Sequence, residues 1–219
     1  MRIRGCIFDL DGVIVDTARY HYLAWKKLAT ILNIEFTEEN NERLKGVSRM
    51  ASLDIILEIG NRVCDEKTRE EYASLKNKWY LDYINRMMPD EILPGSLEFI
   101  SELKYSGIKV ALGSASRNTP LILERLGIGS LFDGIADGNI VSKAKPDPEV
   151  FLTAAKMIAV PPEECIVFED AVAGVEAALK AGMRCVGIGS EKTLKDANVV
   201  VSGLDKLNLR KLKVLAKKL

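Results

Sequence analysis

Short, mostly apolar runs recur along this chain, at residues 3–8 (I-R-G-C-I-F), 108–113 (I-K-V-A-L-G), 165–168 (C-I-V-F) and 184–188 (R-C-V-G-I), with a weaker one at 197–201. Apolar runs without strict alternation suit strands covered on both faces, as in a parallel sheet. Between them, apolar positions recurring every three to four residues predict helices over 96–105, 119–126, 147–158 and 174–181. Strand and helix alternate, so the pattern predicts a doubly wound, Rossmann-like α/β fold.

Residues 17–88 break that alternation. Their periodicity is helical throughout, with Tyr22, Trp25, Leu28, Ala29 and Leu32 on one stripe, Leu53, Ile56 and Leu57 on a second, and Tyr72, Leu75, Trp79 and Tyr83 on a third. The tripeptide Leu93-Pro94-Gly95 punctuates the return to the α/β pattern. The expected organisation is a core of residues 1–16 and 89–219 with a helical domain, 17–88, inserted after the first strand.

Composition narrows the function. Apolar residues make up 47% of 219, enough for a core without disulfides or a structural metal. Lys+Arg and Asp+Glu both number 31, which argues against a nucleic-acid or acidic-membrane partner. The basic cluster Lys206 to Lys218 reads as the solvated face of a helix. No run approaches the ~20 apolar residues of a spanning helix. The opening apolar run is quickly interrupted by Asp9 and Asp11, unlike a signal sequence. Cys6, Cys64, Cys165 and Cys185 form no metal-ligand spacing and fit free thiols in a reducing compartment. The expectation is a cytoplasmic protein.

Ligands of open α/β sheets bind beyond the carboxyl ends of the strands. Asp9 and Asp11 follow the first predicted strand, and Ser114, Ala115, Ser116, Arg117 and Asn118 follow the second. Lys145 lies in the loop before helix 147–158, and Glu169 and Asp170 follow C-I-V-F. Carboxylates converging at one sheet edge repel one another unless a cation sits among them, and oxygen donors suit Mg²⁺. Ser114 and Lys145 offer a hydrogen bond and a positive charge to a phosphoryl group, whose transfer depends mainly on charge stabilisation. A strand-terminal carboxylate such as Asp9 can serve as the nucleophile.

With D-L-D-G-V (9–13), Ser114, Lys145 and Glu169-Asp170 in this order, the chain resembles the haloacid dehalogenase-like phosphohydrolase superfamily over its whole length. That resemblance implies an α/β core with an inserted helical cap. It implies Asp9 as nucleophile, Asp11 as general acid/base, and a Mg²⁺ site made by Asp9, Glu169, Asp170 and the Asp11 carbonyl. Within the superfamily, D-T-A-R-Y-H-Y-L-A-W (16–25), L-K-G-V-S-R (44–49), Lys76-Asn77 and S-A-S-R-N (114–118) resemble the β-phosphoglucomutases. By that likeness Arg49 binds the non-reacting phosphate, supported by Ala115, Ser116, Arg117 and Asn118. Thr17, His21 and Lys76 are then substrate-side residues of the cap, and Lys45, Gly46, Val47 and Ser48 contact the sugar. Arg117, Ala144 and Ala171 stand where Lys, Ser or Gly, and Ser are frequent in such enzymes. The implied reaction interconverts β-D-glucose 1-phosphate and D-glucose 6-phosphate, with β-D-glucose 1,6-bisphosphate as intermediate and activator, in a monomer. A Mg²⁺-dependent sugar-phosphate phosphatase is the alternative, and a non-catalytic sugar-phosphate-binding protein a more distant one.

Overall fold

The computed structural model describes residues 2–215. Six strands form one parallel sheet: β1 (Gly5–Phe8), β2 (Lys109–Gly113), β3 (Gly134–Ala136), β4 (Cys165–Glu169), β5 (Arg184–Ile188) and β6 (Val199–Val201). Their order is β3-β2-β1-β4-β5-β6. The chain leaves β1 toward β2 and β3 on one side, then returns to place β4 on the other. This reversal opens a crevice beyond the carboxyl end of β1, where doubly wound sheets bind ligands.

The unbroken apolar character of the strands follows from cover on both faces. Cys6 and Phe8 point into a core shared with α5 (Ser96–Tyr105), α6 (Thr119–Leu126) and α9 (Leu209–Leu215). Ile7 points to the opposite layer, packed with α7 (Glu149–Met157) and α8 (Val172–Lys180). Phe8 stacks on Phe168 at 4.5 Å and meets Phe99 edge-on, fixing β1 against β4 just below the crevice.

Between β1 and α5 the chain forms α1 (Ala18–Ile31), α2 (Glu38–Glu42), α3 (Arg49–Ile59) and α4 (Glu66–Ile84). The last three begin where the side chains of Thr37, Ser48 and Asp65 accept from the backbone N–H of Asn40, Ala51 and Thr68. Trp25, Leu28, Leu53, Ile56 and Ala73 give these helices a core of their own.

Three expectations need correction. The strand at Gly134–Ala136 is absent from the sequence pattern, because three residues between Asp133 and Asp137 make no apolar run. The fully buried face of α4 is Ala73, Lys76, Tyr80 and Ile84; of the predicted stripe, Tyr72, Trp79 and Tyr83 pack against the cores from its margin, and Leu75 is 37% exposed. That rotation puts a lysine inside, which hydropathy alone disfavours. Finally, α8 starts at Val172, two residues before the predicted 174. All four cysteines are free, and Cys6, Cys165 and Cys185 are buried. Leu212 of α9 turns inward, while residues 216–218 of the basic cluster lie outside the described residues. Among the described residues, no helix is long and apolar enough to cross a membrane.

Candidate active site

Asp9 is the first residue past β1, and its N–H donates to the Phe168 carbonyl of β4 (2.9 Å). Glu169 ends β4, so the β1–β4 register sets the two carboxylates side by side. Lys145 Nζ donates to Asp9 Oδ1 (2.5 Å) and Glu169 Oε2 (2.8 Å), 4.7 Å above the Phe151 ring. Burial disfavours the Lys145 ammonium, but the charges of Asp9 and Glu169 outweigh it and hold the proton firmly. Burial, then the charge of Asp9, pushes Glu169 up to about 7, and burial with the Glu169 charge raises Asp170 well above an ordinary aspartate.

Oxygen atoms of Asp9, Glu169 and Asp170 lie within 4.8 Å of one another. One ammonium leaves this cluster with excess negative charge, and its donors are all hard oxygens. The set therefore fits a small divalent cation such as Mg²⁺. Two glycines make the cluster possible. A Cβ at Gly12 (φ +85°) would lie 2.2 Å from Asp170 Oδ2, and one at Gly174 would lie 2.0 Å from Glu169 Cδ. Each carboxylate occupies the space of a missing side chain.

Asp11 sits one turn beyond Asp9 and accepts a hydrogen bond from Thr17 Oγ1, at the residue preceding α1. Burial first, then the Asp9 charge, lifts Asp11 to about 7, poised to take and return a proton at neutral pH. Ser114 follows β2, with its N–H on the Ala136 carbonyl and its Oγ accepting from the Ser116 N–H (3.1 Å). The Asn118 N–H in turn donates to Ser116 Oγ, which shapes the 114–118 loop.

A cavity of about 560 Å³ lies between this floor and the inserted helices. Asp9, Asp11 and Asp170 line it from the core, as do Ala115, Ser116, Arg117 and Asn118. His21, Lys45, Gly46, Val47, Ser48, Arg49 and Lys76 line it from the insert. Thr17, Ser114, Lys145 and Glu169 are buried rather than part of its wall. The sequence thus brings every expected site residue to one place, in two shells.

Lys76 Nζ lies 2.9 Å from His21 Nδ1 and within 5 Å of the Trp25 and Tyr80 ring centres. Burial, followed by neighbouring cations, pulls both His21 and Lys76 well below their ordinary values. His21 is therefore neutral at pH 7 and shares a hydrogen bond with Lys76 at Nδ1. Arg49, the first residue of α3, is also lowered, by burial and then by Arg117. Arg117 Nε donates to the Gly138 carbonyl (3.2 Å). Gly46 (φ +73°) lets the 44–48 loop approach α8, where a Cβ would lie 3.0 Å from that of Ala171.

One contact and one residue escape the sequence reading. Asn118 Nδ2 donates to Asn77 Oδ1 (3.0 Å), joining core to insert. Tyr80 is fully buried against His21, and its hydroxyl has no partner among the described residues. Both share the Ala73–Lys76–Tyr80 face of α4, so the correct helix register is the signal that finds them.

Comparison with known proteins agrees with this geometry. The family model for haloacid dehalogenase-like hydrolases matches residues 3–182. The chain is 44% identical over 209 residues to the β-phosphoglucomutase of Bacillus subtilis, spanning 94% of this chain and 92% of that one. It is 30% identical over 211 residues to the phosphorylated carbohydrates phosphatase of Thermotoga maritima, spanning 91% and 90%. The crystal structure of β-phosphoglucomutase from Clostridium difficile superposes with a TM-score of 0.94 at 43% identity, covering 99% of this chain and 98% of that one. With its strand-end carboxylates, its buried lysine and these matches, the chain belongs to the haloacid dehalogenase-like hydrolases.

Proposed function

We propose that this protein is a β-phosphoglucomutase, interconverting β-D-glucose 1-phosphate and D-glucose 6-phosphate through an aspartyl-phosphate on Asp9. The observation that carries this reading is a second cationic group, Arg49 with Arg117, in the same cavity as Asp9 and Asp11. A mutase holds phosphates at both ends of a hexose, whereas hydrolysis of a monophosphate needs one anion site. The planar fork of arginine suits the phosphate that does not react.

Phosphorylated Asp9 meets the sugar hydroxyl. Asp11 removes the hydroxyl proton as the sugar oxygen bonds to phosphorus and the bond to Asp9 breaks. The resulting β-D-glucose 1,6-bisphosphate reorients and presents its other phosphoryl group. Asp9 attacks it while Asp11 returns the proton to the departing sugar oxygen. Lys145 and Ser114 stabilise the transferring phosphoryl group. Thr17 positions Asp11, with His21 and Lys76 on its cap side, and Lys45, Gly46, Val47 and Ser48 take the sugar hydroxyls. Ala115, Ser116, Arg117 and Asn118 support the distal phosphate with Arg49. Mg²⁺, held by Asp9, Glu169, Asp170 and the Asp11 carbonyl, supplies charge neutralisation when bound.

The division into a core of 1–16 and 89–219 and a cap of 17–88 belongs to this proposal, as do a monomeric state and a cytoplasmic location. The test is conversion of α- and β-glucose 1-phosphate side by side, with the bisphosphate as primer. Glucose 6-phosphate from the β anomer is expected, and Asp9→Asn should abolish it. Free phosphate without glucose 6-phosphate would favour phosphatase activity, as the Thermotoga maritima relative's name describes.

A further inference from the structure

A second cavity, about 550 Å³, meets the sugar cavity at two shared residues, Asp170 and Lys45. It opens among the loops that follow β1, β5 and β6, lined by Gly12, Ser190, Thr193, Ser202 and Asp205. The two cavities differ in charge. The first sets Lys45, Arg49, Lys76, Arg117 and Lys143 against Asp9, Asp11, Glu70 and Asp170, a slight excess of cations. The second has the carboxylates of Glu42, Asp170 and Asp205 and a single cation, Lys45, whose ammonium Glu42 holds at 2.9 Å. Gly12 brings the second cavity to the carboxylate cluster, because the Asp170 carboxylate fills the space a side chain there would need.

We propose that this second cavity is the route by which the divalent ion enters and leaves, separate from the route of the sugar. The inference rests on the reading above that Asp9, Glu169 and Asp170 hold that ion. A hydrated divalent cation gives up its waters reluctantly, so it needs a passage wide enough to bring several along. The sugar cavity offsets its carboxylates with a slight excess of arginine and lysine, and a bound bisphosphate fills that path. The second cavity attracts it and stays open while the sugar is bound. The enzyme therefore recovers a lost ion without releasing its intermediate.

The probe is Mn²⁺ on the full chain, followed by water-proton relaxation. Capture and chelator-triggered release are timed with and without saturating glucose 6-phosphate. Wild-type release should be nearly the same in both conditions. Thr193→Trp, at an exposed position of the second cavity, should slow capture and release together by about tenfold while leaving the equilibrium affinity unchanged. A plugged path changes rates, and a damaged site changes affinity. Ser202→Trp, also exposed, serves the same purpose if the first variant does not fold. Trapping of Mn²⁺ by glucose 6-phosphate in the wild type would overturn the route, as would wild-type exchange in both tryptophan variants. No Mn²⁺ binding to the wild type would overturn the metal-site reading itself.

Discussion

Gly174→Ala adds one methyl group to the first turn of α8 and tests how the carboxylate cluster is held. That methyl would lie 2.0 Å from Cδ, 2.2 Å from Oε2 and 2.5 Å from Cγ of Glu169. Ordinary carbon contacts are at about 3.5 Å, so the carboxylate must retreat by more than about 1 Å. It cannot do so and keep both its bonds, from Lys145 Nζ (2.8 Å) and from the Ala171 N–H at Oε1 (3.0 Å). Losing one charge-assisted bond costs about 1.5–3 kcal/mol. Overpacking of a buried site adds about 1–3 kcal/mol, and the better helix propensity of alanine returns about 1 kcal/mol. The expected destabilisation is about 1.5–5 kcal/mol, a fall in Tm on the order of 10 °C for a chain of this size. Mg²⁺ affinity measured by calorimetry should fall as well, because Glu169 leaves the cluster. An unchanged or raised Tm with wild-type Mg²⁺ affinity would refute the idea that the missing side chain makes room for Glu169.

Two further outcomes follow from the site. Arg49→Ala should cut mutase kcat/KM by about 100-fold, the worth of one or two charge-assisted phosphate bonds. Hydrolysis of p-nitrophenyl phosphate should change little, and equal losses in both assays would remove Arg49 from the distal phosphate. Stability of the metal-free protein should fall as pH rises from about 4 to about 7. Glu169, Asp11 and Asp170 bind protons more tightly folded than unfolded, so the folded state is penalised once they ionise. Glu169 alone, moving from 4.5 to about 7, accounts for on the order of 3 kcal/mol. Saturating Mg²⁺ should raise Tm much more at pH 8 than at pH 5, and a pH-independent increment would contradict this account.

The α/β alternation and the position of the insert were legible because buried parallel strands make continuous apolar runs and helices do not. Strand ends were legible for the same reason, and with them Asp9, Ser114 and Glu169. The three-residue β3 lacks enough length to show any period. The face of α4 was only partly legible: Trp79 and Tyr83 do pack against the cores, but Leu75 looks like core and Lys76 like surface. Lys76 is accommodated inside because its amine shares a hydrogen bond with His21 and lies over two aromatic rings. That compensation comes from a residue 55 positions away and leaves no local mark. The same holds for Gly12 and Gly174, which look like turn and helix-weakening residues until the carboxylates beside them are seen.

The Arg49–Arg117 pair also acts on the cap before any sugar arrives. One guanidinium belongs to the insert and the other to the core, and burial and then the charge of Arg117 disfavour the charge of Arg49. If they hold the distal phosphate as proposed, the empty enzyme faces like charges across the cavity. A phosphate dianion placed between them reverses the sign and becomes the clasp. On that reading the ligand's own charge favours closure, alongside the Asn118–Asn77 bond that joins core to insert. The enzyme should also close more weakly on substrates as ionic strength rises.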